Sequence, residues 1–335
     1  LNWNMGMVYR LVERDERIYP QGELARRTIG LTGDKGNYGI EEAYRAELAG
    51  RDGQAGTVDE SKTSLRFDTM FGPLLVYLVE YRPGELVRVM DVAGAFQSAT
   101  YIDDDKVYEP VFDYFRAYDA LFEAGIPIRN TLMIGGGGYA YPKHLIATHP
   151  ECRMDVVEVD PQVTLIAERY FYLDRLIAEF DLDENDRLAL ICQDGRTFLE
   201  TYAHAVETGA PNPYGPEQNE DDGWRGDAAE GPAARYDAVL NDTFKGREAV
   251  AALADEGAAR LVHEVLVPGG LYLSNVISAL EGEQAATIEQ IAATLHTAFA
   301  HVYALPCGDA APEERDNRMV LATDGPYRIA GAVEL

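Results

Sequence analysis

The clearest hydrophobic pattern in the chain is a short apolar run that stops at glycine. Residues 131–134 read TLMI, and a polar segment follows the glycines. The glycines are Gly135, Gly136, Gly137 and Gly138. This order predicts a buried strand, a tight turn and a helix, and such a turn lets backbone N–H groups approach a ligand. A strand-to-helix turn without a ligand would show the same pattern, because motif matches of this kind include false positives.

A second apolar run lies about 20 residues further on and ends in acid, where a ribose-binding carboxylate usually stands. Residues 154–160 read MDVVEVD, which predicts a buried strand that closes on Glu158 and Asp160. We expect Glu158 to bind the ribose, because one carboxylate can accept hydrogen bonds from both adjacent hydroxyls. The alternative is that Glu158 only ends the strand and faces solvent.

Strands and helices alternate from the glycine turn onward, which predicts an α/β fold with a doubly wound, mostly parallel sheet. Residues 188–192 predict a third strand, and Asp194 and Gly195 just beyond it suit the amino group of adenine. Residues 236–240 predict a fourth strand, with Asp242 beyond its carboxyl end, where the chemistry of such sheets occurs. The remaining elements are predicted as helices at 163–173, 249–267 and 284–300 and strands at 271–275, 302–305 and 319–322.

The first third of the chain predicts a small β-subdomain before this sheet. Residues 74–81 and 86–92 are apolar and flank an Arg-Pro-Gly turn, which predicts a β-hairpin. Both faces of the hairpin are apolar, so we expect a homodimer or an upstream domain to cover the excess. Residues 108–121 predict an amphipathic helix. Residues 5–13 have strand character and residues 50–61 have loop composition, and neither segment suggests chemistry.

These patterns divide the chain into two regions. We expect residues 1–110 to form the N-terminal region and residues 111–335 to form a nucleoside-binding domain. Residues 208–234 are rich in Pro, Gly and acidic residues, which predicts a mobile insertion.

The charge balance limits the partners. The 335 residues carry 57 acidic and 29 basic side chains, for a net charge of −28. So acidic a chain is not suited to binding nucleic acid through its phosphates and favours a cationic partner. The three cysteines stand at wide spacings that predict neither a disulfide framework nor a zinc site, and we expect no metal.

The distribution of apolar residues predicts a soluble chain with no membrane contact in this fragment, and the unpaired cysteine spacing predicts a reducing cytoplasm. No run of 18 apolar residues occurs, and the first 30 residues lack the order of a signal peptide. The chain begins at Leu1 and not at Met, so we expect it to be cut from a longer protein, which could include a membrane anchor.

Several segments together resemble the spermidine synthase family, the polyamine aminopropyltransferases. They are IGGGG at 134–138, VVEVDPQVTLIAERYF at 156–171, QDGRTFL at 193–199 and YDAVLNDTF at 236–244, with VPGGLYLSNVI at 267–277 and MDVAGAFQSATYIDDD at 90–105. The likeness covers about residues 65 to 325. It is strongest to the spermidine-synthase-like domains that are fused to membrane transporters.

The resemblance implies a sheet of the S-adenosylmethionine-dependent methyltransferase type and the transfer of an aminopropyl group. The donor would be decarboxylated S-adenosylmethionine, and the acceptor a small amine or polyamine. By resemblance, Gln97 would contact the donor, Glu158 its ribose and Asp194 its adenine. Asp242 would face the reacting amine and take its proton, because an alkylamine of pKa about 10 must be deprotonated before it attacks. Tyr108 and Glu109 would be orienting partners.

Three departures from the family pattern leave the activity open. Gly138 stands where the family has an aspartate that binds the donor's ammonium, and Tyr139 stands where glycine is usual. Lys245 stands at the position of a second acceptor-site aspartate, and the family's Tyr-His-Glu stretch survives only as Tyr108 and Glu109. Three functions therefore remain: an aminopropyltransferase with an altered amine site, a methyltransferase that uses intact S-adenosylmethionine, or a non-catalytic nucleoside-binding module.

Overall fold

Two β-sheets organise the part of the chain that the structure, a computed structural model, describes. The described residues are 64–92, 94–214, 231–245, 248–249 and 251–335, and side chains at 244, 245, 248, 249 and 251 are not among them. The predicted strand at 5–13, the predicted loop at 50–61 and most of the predicted insertion at 208–234 lie outside these ranges. Residues 64–335 form one compact unit, and the predicted domain boundary near residue 110 stays a prediction.

The first sheet has four antiparallel strands in chain order. Its members are β1 (Leu65–Thr69), β2 (Gly72–Arg82), β3 (Glu85–Val92) and β4 (Ala95–Tyr101). Strands β2 and β3 pair along most of their length and are joined at Gly84, whose φ of +78° lies in the left-handed region that glycine favours. The hairpin predicted from the sequence is therefore confirmed.

Both faces of the hairpin are covered to a large extent within the chain. Leu74 and Val76 face the main core and are almost completely buried. On the other face, Val87 and Val89 pack with Val111 in a second, smaller cluster. Much of the apolar excess that suggested a homodimer is thus covered internally. The dimer remains a prediction, and light scattering at tens of micromolar would test it.

The second sheet has eight strands in the order β14-β12-β13-β11-β8-β5-β6-β7. Its strands are β5 (Asn130–Ile134), β6 (Arg153–Glu158), β7 (Leu188–Cys192), β8 (Tyr236–Asn241), β11 (Leu266–Ser278), β12 (His301–Pro306), β13 (Asp316–Thr323) and β14 (Val333–Glu334). A separate two-stranded pair, β9 (Phe244–Lys245) and β10 (Glu248–Ala249), follows β8. Strands β7, β6, β5, β8 and β11 run parallel, and β13 is antiparallel to β11. The predicted mostly parallel, doubly wound sheet is confirmed.

Helices cover the large sheet, and their starts follow capping chemistry. They are α1 (Asp113–Ala117), α2 (Ala140–Thr148), α3 (Pro161–Tyr170), α4 (Leu173–Glu179), α5 (Leu182–Asn185), α6 (Gly195–Thr208), α7 (Glu256–Val265) and α8 (Ala286–Leu295). Asp160, Asp194 and Asp255 each accept a backbone N–H at the N-terminus of α3, α6 and α7, which fixes where those helices begin. None of the helices in the described ranges is long and apolar enough to cross a bilayer.

Two predicted helices begin later than the sequence suggested. The helix predicted at 108–121 is wrong in its first half, since α1 begins at Asp113 and continues as a 3₁₀ helix, Tyr118–Phe122. Pro110 disfavours a helical conformation at Glu109 and has no N–H to donate. The helix predicted at 249–267 is likewise too long, because α7 begins only after its cap at Asp255.

Candidate active site

The glycine turn after β5 is closely packed at Gly135, Gly136 and Gly138, which leaves no room for a side chain at these three positions. Gly135 has φ +94°, and its N–H donates to the Val157 carbonyl at 2.9 Å. A Cβ added to Gly135 would lie 2.7 Å from the backbone oxygen of Asp242. The first glycine therefore brings the turn into contact with the end of β8.

Tyr139 closes the turn in an unusual conformation. It has φ +54°, in the left-handed region that costs a non-glycine residue roughly 1 kcal/mol or more. Its ring is buried and lies 2.8 Å from where a Cβ on Gly136 would be, and its hydroxyl is 2.9 Å from Thr164 Oγ1. Tyr139 stands where the family usually has glycine, and it has a backbone conformation that glycine would adopt more easily.

Glu158, at the end of β6, holds the turn by hydrogen bonds. Its Oε2 accepts from the N–H groups of Gly136 at 2.9 Å and Gly137 at 3.1 Å, and its Oε1 accepts from the Asp160 N–H at 3.0 Å. Burial raises the pKa of Glu158, and the three N–H groups act in the opposite direction. Oε2 is saturated and Oε1 keeps one lone pair. The bidentate ribose contact expected from the sequence would therefore require one N–H to be released.

The other two acids at the strand tips cap helices. Asp160 is buried, and its two oxygens accept from the N–H groups of Gln162 and Met70 at 2.9 and 2.6 Å. It therefore ties the β1–β2 turn to α3, and both of its oxygens are engaged.

Asp194 is exposed, and its Oδ1 accepts from the Thr197 N–H and hydroxyl at 2.9 and 3.1 Å. Its Oδ2 has no hydrogen bond within the described part of the chain, so it is open to a ligand.

Gly195 completes the floor between β5 and β7. It is buried at the start of α6, and a Cβ there would lie 2.6 Å from Ile134 Cγ2. The glycines at 135, 136, 138 and 195 are thus each required by a close contact, so they hold the strand tips together whether or not a ligand is bound.

Asp242 lies at the carboxyl end of β8 beside the glycine turn. Asn275 Nδ2 donates to its Oδ1 at 3.1 Å, and the Tyr114 hydroxyl donates to its Oδ2 at 3.4 Å. Burial raises the pKa of Asp242 to about 6, against the lowering effect of these two hydrogen bonds. A carboxyl group with a pKa near neutrality is suited to accept a proton from a substrate.

Asn275 presents an unsatisfied oxygen in the same place. The residue is 4% exposed, and its Oδ1 has no hydrogen-bond partner among the described residues. Because an ionised carboxylate can only accept, the amide nitrogen must face Asp242 and the amide oxygen must face away from it. A buried acceptor without a donor costs roughly 1 to 3 kcal/mol, which favours a ligand or a water that donates to it.

These groups line a cavity of about 320 Å³. Its walls include four aromatic rings, which are Tyr81, Phe96, Phe112 and Tyr114. The acids along it are Asp113, Asp242 and Asp316, and Gln97, half-buried on β4, also lines it. The cavity therefore joins carboxylates to aromatic faces, both of which attract a cation.

Tyr108 and Glu109 do not lie with Asp242. The Tyr108 hydroxyl donates to Glu179 Oε2 at 2.6 Å, and Glu109 pairs with Arg116 at 3.6 Å. Neither residue lines the cavity.

The Lys245 side chain, which the sequence placed near Asp242, lies outside the described residues. The partners that the structure supplies instead, Tyr114 and Asn275, were not predicted. Asn275 did carry a signal, since it is the polar residue that follows the apolar LYLS run of β11.

Comparison with known proteins supports the family resemblance. No protein-family model matches the chain. The chain is 27% identical over 228 residues to the polyamine aminopropyltransferase of Vibrio vulnificus. The match covers 68% of this chain and 60% of that protein. It therefore spans less than two thirds of the length of this curated relative.

The fold agrees with that likeness. The crystal structure of a probable spermidine synthase from Corynebacterium glutamicum superposes with a TM-score of 0.54 at 16% identity, over 79% of this chain and 82% of that one. At this level of identity the match is one of fold. The chain is therefore similar in sequence to a polyamine aminopropyltransferase and shares the α/β fold of a probable spermidine synthase.

Proposed function

We propose that this chain is a transferase that binds an adenosyl sulfonium donor and alkylates a small amine, by aminopropyl transfer from decarboxylated S-adenosylmethionine. The observation that carries the proposal is the position of Asp242, which stands beside the glycine turn and lines a cavity that suits a cation. The name of the Vibrio vulnificus relative, a polyamine aminopropyltransferase, supports the same chemistry.

The donor would lie over the glycine turn with its nucleoside toward β6 and β7. Glu158 has one free lone pair for a ribose hydroxyl, and Asp194 has a free Oδ2 for the adenine amino group. The sulfonium would then stand between these residues and Asp242. Its positive charge is stabilised by the acidic surroundings, and it needs no metal to make sulfur a leaving group.

The acceptor amine would occupy the cavity. It arrives as an ammonium, which the carboxylates along the walls attract. Asp242 would accept one of its N–H groups, and the Asn275 amide nitrogen holds that carboxylate in place. The aromatic walls would pack against its methylene groups and stabilise its charge.

Transfer would proceed by in-line displacement. Asp242 takes a proton from the ammonium, and the freed nitrogen lone pair attacks the carbon bonded to sulfur. The new C–N bond forms as the C–S bond breaks, and the bonding electrons go to sulfur, which leaves as a neutral thioether. The fixed positions of the two reactants supply much of the remaining acceleration.

The nucleoside product tests the proposal directly. The full chain is incubated with putrescine or spermidine and either decarboxylated or intact S-adenosylmethionine, and the nucleosides are separated by liquid chromatography. We expect 5′-methylthioadenosine from the decarboxylated donor. S-adenosylhomocysteine from the intact donor would identify a methyltransferase. Binding of both nucleosides without turnover would identify a non-catalytic module.

Methyl transfer is the second candidate because of one observation. Gly138 places no carboxylate beside the donor's tail, and its neighbour across the turn is the neutral Ser98. Nothing in this pair repels the carboxylate of intact S-adenosylmethionine, whereas an acidic side chain at residue 138 would do so.

Glu158→Gln should weaken binding of 5′-methylthioadenosine by roughly 1.5 to 3 kcal/mol, the scale of hydrogen bonds to a charged group. Glutamine has one acceptor oxygen, and its amide nitrogen can only donate, so it cannot accept all three N–H groups that Glu158 now holds on two oxygens. The turn therefore loosens as the ribose contact is lost. Calorimetric titration measures the change. The control is Asp183→Asn, which removes one negative charge from the exposed surface of α5. Equal affinity in the two variants would remove Glu158 from the nucleoside site.

A further inference from the structure

Strands β11 and β13 extend beyond the edge of the large sheet and form one wall of the cavity. Strand β8 pairs with β11 only as far as Ser274, whereas the β11–β13 pairing continues to Ser278 and Asp316. The wall therefore begins at Asn275, beside Asp242, and leads away from the end of β8.

Asp316, at the far end of that wall, is a half-buried acid that lines the cavity. Its Oδ1 accepts from the Asn317 N–H at 2.8 Å, and its Oδ2 accepts no hydrogen bond from the described residues. A Cβ added to Gly308 would lie 3.3 Å from Oδ2, so this glycine leaves the oxygen without a side chain over it. Asp316 therefore offers a free carboxylate oxygen at the cavity wall.

No cation in the described part of the chain forms an ion pair with Asp316. Arg315 and Arg318 are close to it in sequence, but their guanidinium groups donate to backbone carbonyls. Neither arginine lines the cavity, and no other basic side chain of the described residues does. Asp113, Asp242 and Asp316 thus line a cavity without a balancing charge, which favours a ligand with more than one positive charge.

The position of Asp316 along the wall sets the length of that ligand. Asn275 donates to Asp242 at 3.1 Å, and Ser278, three residues further along β11, is the register partner of Asp316. Three residues of a strand span about 10 Å. The two nitrogens of an extended four-carbon diamine are about 6 Å apart, and a charged hydrogen bond adds about 3 Å at each end. A diamine of this length therefore reaches from Asp242 to Asp316.

We propose that Asp316 is a specificity-determining residue that binds the second ammonium of a dicationic acceptor, while Asp242 binds the reacting amine. This inference rests on the proposed function, and it narrows the acceptor from a small amine to a linear amine with two charges. Tyr108 and Glu109, which the family resemblance suggested as partners of Asp242, do not line the cavity, so Asp316 supplies the second carboxylate.

Two amines of equal length test the contact with the second ammonium. Putrescine carries an ammonium at both ends, and n-butylamine carries one. With decarboxylated S-adenosylmethionine as donor, formation of 5′-methylthioadenosine gives kcat/KM for each amine. We expect the wild type to prefer putrescine by at least tenfold, the scale of one hydrogen bond to a charged group. Asp316→Asn should remove most of that preference through a higher KM for putrescine, and Asp316→Glu, which keeps the carboxylate, should retain part of it.

Asp309→Asn is the matched control, because Asp309 is exposed next to Gly308 and does not line the cavity. It removes the same charge from the segment between β12 and β13, so the preference for putrescine should be unchanged. An equal fall in Asp309→Asn and Asp316→Asn would mean that only the net charge near the cavity matters. A fall in Asp113→Asn but not in Asp316→Asn would place the second ammonium at α1. Either result overturns the assignment of Asp316.

Direct binding distinguishes the inference from the function on which it rests. Each amine is titrated calorimetrically into the full chain in the presence of 5′-methylthioadenosine. If putrescine binds more tightly than n-butylamine and this difference depends on Asp316, but no nucleoside product forms, the proposed transfer fails and the Asp316 contact stands. If product forms and the preference for putrescine is absent or survives Asp316→Asn, the contact is overturned and the proposed function stands. If the chain binds neither amine, both fail.

Discussion

Asp242→Asn should lower the rate of transfer by a factor of about 10² to 10⁴, the contribution of a positioned general base, and should leave nucleoside affinity nearly unchanged. The asparagine keeps the shape of the side chain and can still contact Asn275 and Tyr114, but it cannot take a proton. Product formation and binding of 5′-methylthioadenosine are measured in the same variant. Retained turnover would mean that Asp242 only terminates β8, and the cavity would then have no identified base.

The pH profile of the wild type gives an independent test. Because the pKa of Asp242 is raised to about 6, the fraction of the carboxylate that can accept a proton rises as pH increases through 6. We expect the transfer rate to show an acidic limb near that value. Tyr114→Phe removes a hydrogen bond that lowers the pKa, so it should move the limb to higher pH.

The same profile reports on Lys245. A lysine ammonium paired with Asp242 would lower the carboxyl pKa, which opposes the effect of burial. An acidic limb well below pH 6 that returns toward 6 in Lys245→Met would show that Lys245 faces Asp242. An unchanged limb in that variant would show that Lys245 leaves Asp242 to the acceptor.

The elements around the site could be predicted because their signals are local. The strand before the glycine turn, and the strands that end at Glu158, Cys192 and Asn241, are short apolar runs bounded by polar or glycine residues. Such runs bury themselves as parallel strands, and their carboxyl ends meet at one edge of the sheet. The location of the candidate site follows from that rule alone.

The partners inside the site could not be predicted because they depend on contacts between distant parts of the chain. Tyr114 meets Asp242 across 128 residues. The family resemblance suggested Tyr108 instead, but Pro110 delays the helix, and Tyr108 pairs with Glu179. Glu158 was expected to face ribose with both oxygens free. Its engagement by turn N–H groups depends on the left-handed backbone at Gly135 and Gly137, which a residue pattern does not specify.

Lys143 is a buried group that the sequence did not single out. It is 1% exposed on α2, and its Nζ donates to Thr100 Oγ1 at 3.2 Å, to the Val107 carbonyl at 3.3 Å and to the Phe171 carbonyl. It therefore ties β4 and the segment after it to the α3–α4 junction. Burial, with a smaller contribution from Arg88, lowers the pKa of Lys143 to about 7.

The folding stability should therefore rise with pH above neutrality. The folded state releases the lysine proton near pH 7, and the unfolded state keeps it up to its ordinary pKa of 10.5. Between these values the unfolded state binds more protons, so the free energy of unfolding increases by up to about 1.4 kcal/mol per pH unit. Below pH 7 the lysine is charged in both the folded and the unfolded state, so its contribution to the free energy of unfolding no longer changes with pH.

Lys143→Met should remove that slope. It deletes the titrating group at similar volume, and it leaves the Val107 and Phe171 carbonyls without the lysine N–H donor. In denaturant unfolding at pH 7, 8 and 9, the free energy of unfolding of the wild type should increase relative to that of the variant by roughly 1 kcal/mol or more per pH unit. Lys106→Met is the control, because Lys106 is half-exposed beside Glu85 and its pKa is raised, so it stays charged in both states over this range. If the free energies of unfolding of the wild type and Lys143→Met differed by the same amount from pH 7 to 9, Lys143 would be buried in its charged form. The three acceptors around Nζ would then be holding an ammonium.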